Sequence, residues 1–402
     1  MAMADSLLLN GRSENRAVIV VGGGLAGCSA ALEAADAGAN VILIEKNPIL
    51  GGNSAKASSG INAVGTLIQM ASSSDDSVET FVQDTLKSGG GISDVNLVHT
   101  LVRGSADAVK FLQSMGVALN YVSKCGGHTD ARTHRGDPAT GHLVNVGFSI
   151  MSKMRNAVMA RDNIKVLVGT RVQHLLKEGS RIRGVIVENG TVSGHRIRAN
   201  GVILTAGGFG ADRHGVDALI RQHVPAYATL PTTNGAHATG DGIRLAMAVQ
   251  AQLVGMEFVQ LHPTGFVNFS NPQAETLFLA PEALRAEGAT LWNRRGEQFV
   301  DPLALRSTVA SAIQQQAAVD GNCTLLMLPM ANARRYSWPT IEFYKSKGLL
   351  HQYESLESAW AGHGLPAEAK LQARLRDAHV CGRSEQEQEQ EQEQEQEQEQ
   401  EQ

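Results

Sequence analysis

The stretch Glu282 to Ser307, "EALRAEGATLWNRRGEQFVDPLALRS", holds three side chains whose types and spacing could do chemistry. Glu282 stands three residues before Arg285, and Arg306 follows 21 residues after Arg285. Between the arginines, "NRRGEQFVD" reads as extended and turn-like. Two readings fit these residues. One is a solvated surface dressed with ion pairs, each worth little to stability. The other is a charged relay that meets an anionic substrate. The elements around the trio must decide.

The first of those elements is at the N-terminus. "AVIVVGGGLAGCSAALEAADAGANVILIEK" reads as strand, tight turn, helix and strand. Gly22-x-Gly24-x-x-Gly27 follows the β-branched run Ala17 to Val21, an Ala-rich helix runs from Leu25 to Ala37, and Gly38 stops it. The second strand, Val41 to Ile44, ends in Glu45, 18 residues beyond Gly27. Alone the glycine pattern is weak; with strand, helix and acid in place it is a dinucleotide-binding fingerprint. Gly22 permits the turn, Gly24 lets a diphosphate approach the backbone, and Gly27 lets helix pack on strand. The helix N-terminus offers N–H groups to the phosphates. Glu45 can accept bonds from ribose hydroxyls.

The next segment, "GGNSAKASSGINAVG" (Gly51 to Gly65), is small, polar and glycine-rich. Such a loop lies along a long cofactor, which favours FAD over NAD. Here the chain resembles the flavoprotein family of fumarate reductases and succinate dehydrogenases, whose members carry a similar run ending in GINA or GMNA. Aligned on Gly60-Ile61-Asn62-Ala63, Asn53 stands where the membrane-bound enzymes carry a flavin-linking histidine. The resemblance is therefore to the soluble branch, and it implies non-covalent FAD. It covers about residues 16 to 378 and includes "GGH…RTHR" (Gly126 to Arg135) and "ATGDG" (Ala238 to Gly242).

The bulk numbers agree with this reading. The 402 residues include 42 glycines, and the formal charge of −5 is set by nine Glu-Gln pairs, Glu385 to Gln402. Without that repeat the body has 35 basic and 31 acidic residues. No basic stripe suggests nucleic acid. No apolar run reaches the roughly 18 residues of a membrane span. The N-terminus lacks the order of a secretory signal. Four scattered cysteines form no CxxC, which argues against zinc and disulfides and suits a reducing compartment, cytoplasmic or mitochondrial. His128, His134 and His142 have no metal spacing, and no metal is expected.

Helices are expected over Asp76 to Lys87, with "DSVE" as an N-cap, over Ser93 to Met115 and over Gly147 to Arg161. Alternating short strands from Ile164 onward predict an antiparallel meander inserted into the parallel sheet. "VILTAGGFG" (Val202 to Gly210) reads as a buried strand ending at the cofactor. The fold class is α/β: a Rossmann-like FAD-binding domain (16–257) with the β-meander inserted, an α+β clamp domain (258–378), and a low-complexity tail (379–402), disordered or a fraying helix.

The resemblance assigns roles. Glu282, Arg285 and Arg306 match the family's proton relay, with Arg306 as the donor. Arginine alone is a poor acid, since its pKa exceeds about 12; it needs a carbanion-like partner and a group to reprotonate it. In "QLHPTGF" (Gln260 to Phe266), His262 matches a histidine that bonds a substrate carboxylate, beside Glu282. FAD contacts are expected from Gly22, Gly24, Leu25, Ala26 and Gly27; from Glu45 and Lys46; from Gly52, Asn53, Ser54, Gly60, Ile61 and Asn62; and from Val172, Thr205, Ala206, Gly207 and Asp241, the last also able to cap a helix. Gly126, Gly127 and Arg135 are further candidates. Pro281 replaces the threonine of the flavocytochrome branch, removing a hydroxyl donor.

The implied reaction is reduction of fumarate to succinate, with electrons from an external donor, NADH or reduced flavin, since there is no haem motif and no second nucleotide-binding unit. The alternatives are reduction of another unsaturated acid or a non-catalytic flavin-binding role. The family pattern continues with an "HHTMGG"-like histidine and a "GxNRLGGN"-like arginine that hold substrate carboxylate. Neither occurs here, so weak FAD affinity and slow turnover are expected of this chain.

Overall fold

The computed structural model describes residues 17–72, 74–137, 145–190, 192–268, 270–320 and 325–362. His142, the end of the expected clamp domain and the Glu-Gln repeat lie outside them.

The chain begins with β1 (Ala17–Val21), α1 (Leu25–Asp36) and β2 (Asn40–Ile44), the expected strand–turn–helix–strand. A 3₁₀ turn at Gly52–Lys56 leads to the short β3 (Ile61–Asn62) and α2 (Leu67–Ala71). Helices α3 (Val78–Ser88) and α4 (Val95–Ser114) follow, then β4 (Tyr121–Ser123), β5 (Thr133–Arg135) and α5 (Val146–Met159). Ser77, rather than Asp76, caps α3 by accepting from Thr80 N. Asp76 is instead drawn to Arg132, whose Nη2 lies 2.8 Å from its Oδ1.

Next come β6 (Ile164–Leu167), β7 (Arg171–Glu178), β8 (Arg181–Asn189), β9 (Val192–Arg198) and β10 (Gly201–Leu204). β1, β2, β6 and β10 form one parallel sheet in the order β10-β1-β2-β6. β7, β8 and β9 form the meander, inserted in sequence but hydrogen-bonded as a sheet of its own.

Period-two alternation assigns the parallel sheet's two faces. Val20, Val41 and Leu43 point to a core shared with α1, α4 and α5. Ala17, Ile19, Ile42 and Ile44 point to a second core shared with Val172, Val185, Val187 and Ile197 of the meander. The result is three layers, with the carboxyl ends of β1, β2 and β10 delivering Gly22, Glu45 and Thr205 to one edge. β10 departs from its expected burial: Ile203 is 38% and Leu204 37% exposed. Among the described residues it is an edge strand, paired on one side only.

Past α6 (Leu219–His223) and α7 (Asp241–Ala248), the hairpin β11 (Gly265–Phe266) and β12 (Phe278–Leu279) leads into α8 (Glu282–Ala286). β13 (Thr290–Trp292), α9 (Arg306–Asp320), β14 (Leu325–Met327), α10 (Met330–Ser346) and α11 (Leu356–Gly362) complete the described chain. This part has its own core, built on Phe266, Leu284, Ile341 and Tyr344. α10 passes through Pro339 without a break. No helix among the described residues is long and apolar enough to cross a membrane.

Candidate active site

The glycine turn is close-packed in the way its sequence demands. Gly22 has φ +107°, and a Cβ there would lie 2.6 Å from Thr205 O. A Cβ on Gly27 would lie 1.8 Å from Gly22 O, so only glycine lets α1 meet the turn. Thr205 Oγ1 donates to the carbonyls of Val21 and Gly22 and ties β10 to the turn. Gly24 is the N-cap of α1 and carries no side-chain cap. Ser54 Oγ accepts from Leu25 N at 3.1 Å, which brings the segment after Gly51 over the helix start.

Glu45 is buried, and both carboxylate oxygens already accept main-chain donors: Oε2 from Gly23 N at 2.7 Å and Oε1 from Asn47 N at 2.8 Å. Each oxygen keeps a second lone pair for a ribose hydroxyl. Lys46 Nζ donates to Thr239 Oγ1 and Asp241 Oδ2. Gly240, at φ +70°, is the N-cap of α7, so Asp241 is its first residue and not its cap. Burial acts to raise the Asp241 pKa, but hydrogen bonds from Thr239 and Lys46 and the charges of Lys46 and Arg171 outweigh it and hold it below the usual carboxylate range. The side chain of Val172 lies in the core between the sheets, and the residue pairs with Val187 in the β7–β8 ladder. Asn53 bridges two loops: Nδ2 donates to Asn234 Oδ1 at 2.7 Å, and Oδ1 accepts from Gly235 N at 2.9 Å.

β3 presents Ile61 and Asn62 beside β5, and Asn62 Oδ1 accepts from Thr133 Oγ1. At Gly60, φ +147°, a Cβ would strike His134 O at 2.6 Å. Ser59 Oγ accepts from Ala283 N at 3.3 Å. The segment expected to hold the flavin therefore touches the helix that carries the relay.

Two of the three residues expected to form a relay meet directly. Arg306 Nη2 lies 2.8 Å from Glu282 Oε2, and Nη1 donates to Gln260 Oε1 at 3.0 Å. The Glu282 side chain is 12% exposed and that of Arg306 40%. Burial acts to raise the Glu282 pKa, but the hydrogen bond and charge of Arg306 and the charge of Arg285 outweigh it, so the net shift is downward and the acid is ionised. Arg285 is buried, 1% exposed; Nη1 donates to Pro302 O rather than to Glu282, while Nε and Nη2 have no partner among the described residues. Burial lowers its pKa, Glu282 offsets part of that, and Arg306 adds to it. His262 is pushed down to about 4, by burial first and by Arg306 next. Gln260, His262, Thr232, Asn234 and Phe266 line part of a cleft of about 1280 Å³.

The Gly126-Gly127 loop belongs to this side of the site. A Cβ on Gly126 would lie 2.9 Å from Glu282 Oε1, and Gly127 N donates to Leu303 O at 2.8 Å. Arg135 is buried in a pair with Glu287 at 2.6 Å, over the Tyr121 ring. His134 is buried between Thr66 Oγ1 and Arg132 O. Among the described residues no His, Cys, Asp and Glu group could hold a metal ion. Sequence reasoning missed Ser59, Asn234, Gln260 and His237. Ser59 and Gln260 sit inside the quoted motifs, and Asn234 and His237 just ahead of "ATGDG", but none has a spacing of its own to mark it.

The family model described as an FAD binding domain matches residues 17–383. A fumarate reductase of Schizosaccharomyces pombe is 35% identical over 350 residues, 86% of this chain and 67% of that one. The chain belongs to the fumarate reductase flavoprotein family. The NADH:fumarate oxidoreductase of Klebsiella pneumoniae is another member-like relative, 35% identical over 74% of this chain but only 30% of its own length. Among solved structures, the open conformation of a flavocytochrome c3 fumarate reductase superposes with a TM-score of 0.70 at 29% identity, covering 91% of this chain and 61% of that one. The chain thus spans about two thirds or less of the relatives it matches.

The residues at the turn fit the family's cofactor. Gly24 leaves the backbone bare at the helix start, where a Cβ would meet only Ser54 Oγ at 3.5 Å, and His237 Nε2, buried beside Gly52, has no hydrogen-bond partner among the described residues.

Proposed function

We propose that this chain is the FAD-bearing catalytic unit of a fumarate reductase, holding the flavin non-covalently. The observation that carries this is the junction of two sites: Ser59, in the cofactor segment, bonded to α8, which bears Glu282 at hydrogen-bond distance from Arg306. FAD, when bound, supplies a hydride from N5 to one carbon of the substrate double bond. Arg306 gives the proton to the neighbouring carbon, and Glu282 returns one to Arg306, with Arg285 behind it. His262 binds a substrate carboxylate. Gly22, Gly24, Leu25, Ala26, Gly27, Glu45 and Ser54 would hold the adenosine diphosphate half. Gly52, Asn53, Gly60 to Asn62 and Thr205 to Gly207 would run along the flavin half. The division into a cofactor domain and a clamp domain from residue 258 is part of the same reading.

Electrons reach the flavin from outside the chain, from NADH or a reduced flavin; the Klebsiella relative bears NADH in its name. The test is to bleach the purified yellow protein with dithionite and to follow reoxidation on adding fumarate, with urocanate and crotonate in parallel. Reoxidation by fumarate supports the proposal. Reoxidation only by another acid moves the substrate, and bound flavin that no acid reoxidises leaves a flavin-binding protein.

A further inference from the structure

His237 plays no part in the reaction above. It lies in "TNGAHATGDG", and its Nε2 is buried with no hydrogen-bond partner among the described residues. The place it faces is specific. A Cβ built on Gly52 would lie 3.7 Å from His237 Nε2 and 4.0 Å from Gly24 Cα. Gly24 is the glycine that lets a dinucleotide diphosphate approach the helix start. The ring is held there from behind: a Cβ on Gly235 would lie 2.3 Å from its Cε1, and Gly235 N is anchored on Asn53 Oδ1 at 2.9 Å.

We propose that His237 Nε2 is a ligand of the FAD diphosphate and takes up a proton when the diphosphate binds, so that cofactor affinity rises as pH falls. The proposal rests on the FAD reading of this site. The charged groups facing the ring are Lys46 and Glu45 after β2 and Lys56 on the 3₁₀ turn. Glu45 is occupied by Gly23 N and Asn47 N, and Lys46 by Thr239 and Asp241. Without ligand, burial lowers the His237 pKa, Lys46 and Lys56 lower it further, and Glu45 opposes them. A diphosphate dianion reverses that balance and favours imidazolium, whose N–H then donates to phosphate. Affinity should therefore climb as pH falls through the bound-state pKa and level off below the ligand-free one.

The test uses the full chain stripped of flavin. Calorimetric titrations with FAD, ADP and adenosine, near pH 6 in buffers of different ionisation heat, count the protons exchanged. FAD, whose diphosphate has no group that titrates near this pH, should take up a proton and adenosine none; ADP, whose terminal phosphate titrates in this range, reports only whether the diphosphate is bound. FAD affinity should rise about tenfold from about pH 8 to pH 6, the scale of one charge-assisted hydrogen bond. His237→Gln should abolish the uptake and flatten the slope. FAD binding in the wild type without proton uptake overturns the proposal, and that measurement needs no variant. A His237→Gln protein that keeps both uptake and slope overturns it too. A wild-type chain that binds no FAD at any pH refutes the flavin reading itself, and this proposal with it.

Discussion

Replacing Glu282 by Gln changes one charge and almost no volume, and its cost can be worked from the site. The carboxylate contacts the Arg306 guanidinium at 2.8 Å and is a countercharge for Arg285, which is 1% exposed with two nitrogens unpartnered among the described residues. Two unit charges about 4 Å apart interact by ~4 kcal/mol at an effective dielectric of 20. Arg306 is 40% exposed, so solvent screens its share and that pair is worth about 1 kcal/mol or less. Leaving Arg285 less compensated costs on the order of 1–3 kcal/mol. Glu282→Gln should therefore lower stability by roughly 2–3 kcal/mol, read as a shift of the urea midpoint with unchanged slope. Turnover should fall further, by about 10² to 10⁴, the usual worth of a positioned proton carrier. The assay is single-turnover reoxidation of dithionite-reduced flavin by fumarate, on protein whose flavin content is matched. A Glu282→Gln protein with the wild-type reoxidation rate refutes the relay, whatever its stability. One with the wild-type urea midpoint refutes the countercharge argument.

Arg306→Ala should abolish fumarate-dependent reoxidation while flavin stays bound, and Arg306→Lys should recover little because an ammonium does not reproduce the planar fork; near-normal rates in either would remove Arg306 as donor. Acid precipitation should release the flavin to the supernatant, since Asn53 has no imidazole to form a bond; yellow colour in the pellet contradicts this. Glu45→Arg should weaken FAD binding by roughly 1–3 kcal/mol and also lower apoprotein stability, because Gly23 N and Asn47 N lose their acceptor; an unchanged titration would make Glu45 purely structural. His262 is neutral when folded, with a pKa of about 4 against an ordinary 6.5, so the unfolded chain binds the extra proton. Its contribution is full above about pH 6.5 and declines as pH falls toward 4, by at most about 1.4 kcal/mol per pH unit; His262→Asn should flatten stability over that window.

What was legible in the sequence was whatever local sterics dictate. The Gly22–Gly27 turn, α1 and the acid at the end of β2 follow from glycine, alanine and β-branched residues in order. The meander followed from alternation. Less legible were facts fixed by partners distant in the chain. Asp76 reads as a helix cap, yet a buried Arg132 56 residues away claims it. "VILTAGGFG" reads as buried because it is apolar, but burial depends on what lies beside an edge strand. Gly126 and Gly127 read as flavin neighbours from the resemblance, and nothing local in the loop announces that the fold also lays them against Glu282 and Leu303. Glu282 and Arg306, which the resemblance pairs, lie 2.8 Å apart. The resemblance did not reveal that Arg285 donates to a carbonyl.

That last detail bears on how an arginine could act as an acid here. A guanidinium gives up a proton only where its charge is disfavoured before transfer and the loss is quickly repaired. The buried Arg285 stands near Arg306, whose charge helps to lower the Arg285 pKa. Glu282 supplies the second condition, in direct contact with Arg306. His262 must remain outside this exchange. Its Nδ1 lies 2.9 Å from Thr264 O and 3.3 Å from Thr264 N, contacts that demand opposite tautomers. The shorter one makes Nδ1 the donor, so in the neutral ring Nε2 has only a lone pair and cannot donate to a carboxylate. A substrate dianion changes this, by raising the pKa that burial and Arg306 hold near 4. Substrate binding would then draw one proton onto His262, and fumarate affinity should increase as pH falls through the bound-state pKa. His262→Gln, whose amide donates at every pH, should remove that dependence while keeping part of the affinity. An unaltered pH profile in that variant would place the carboxylate's donor elsewhere.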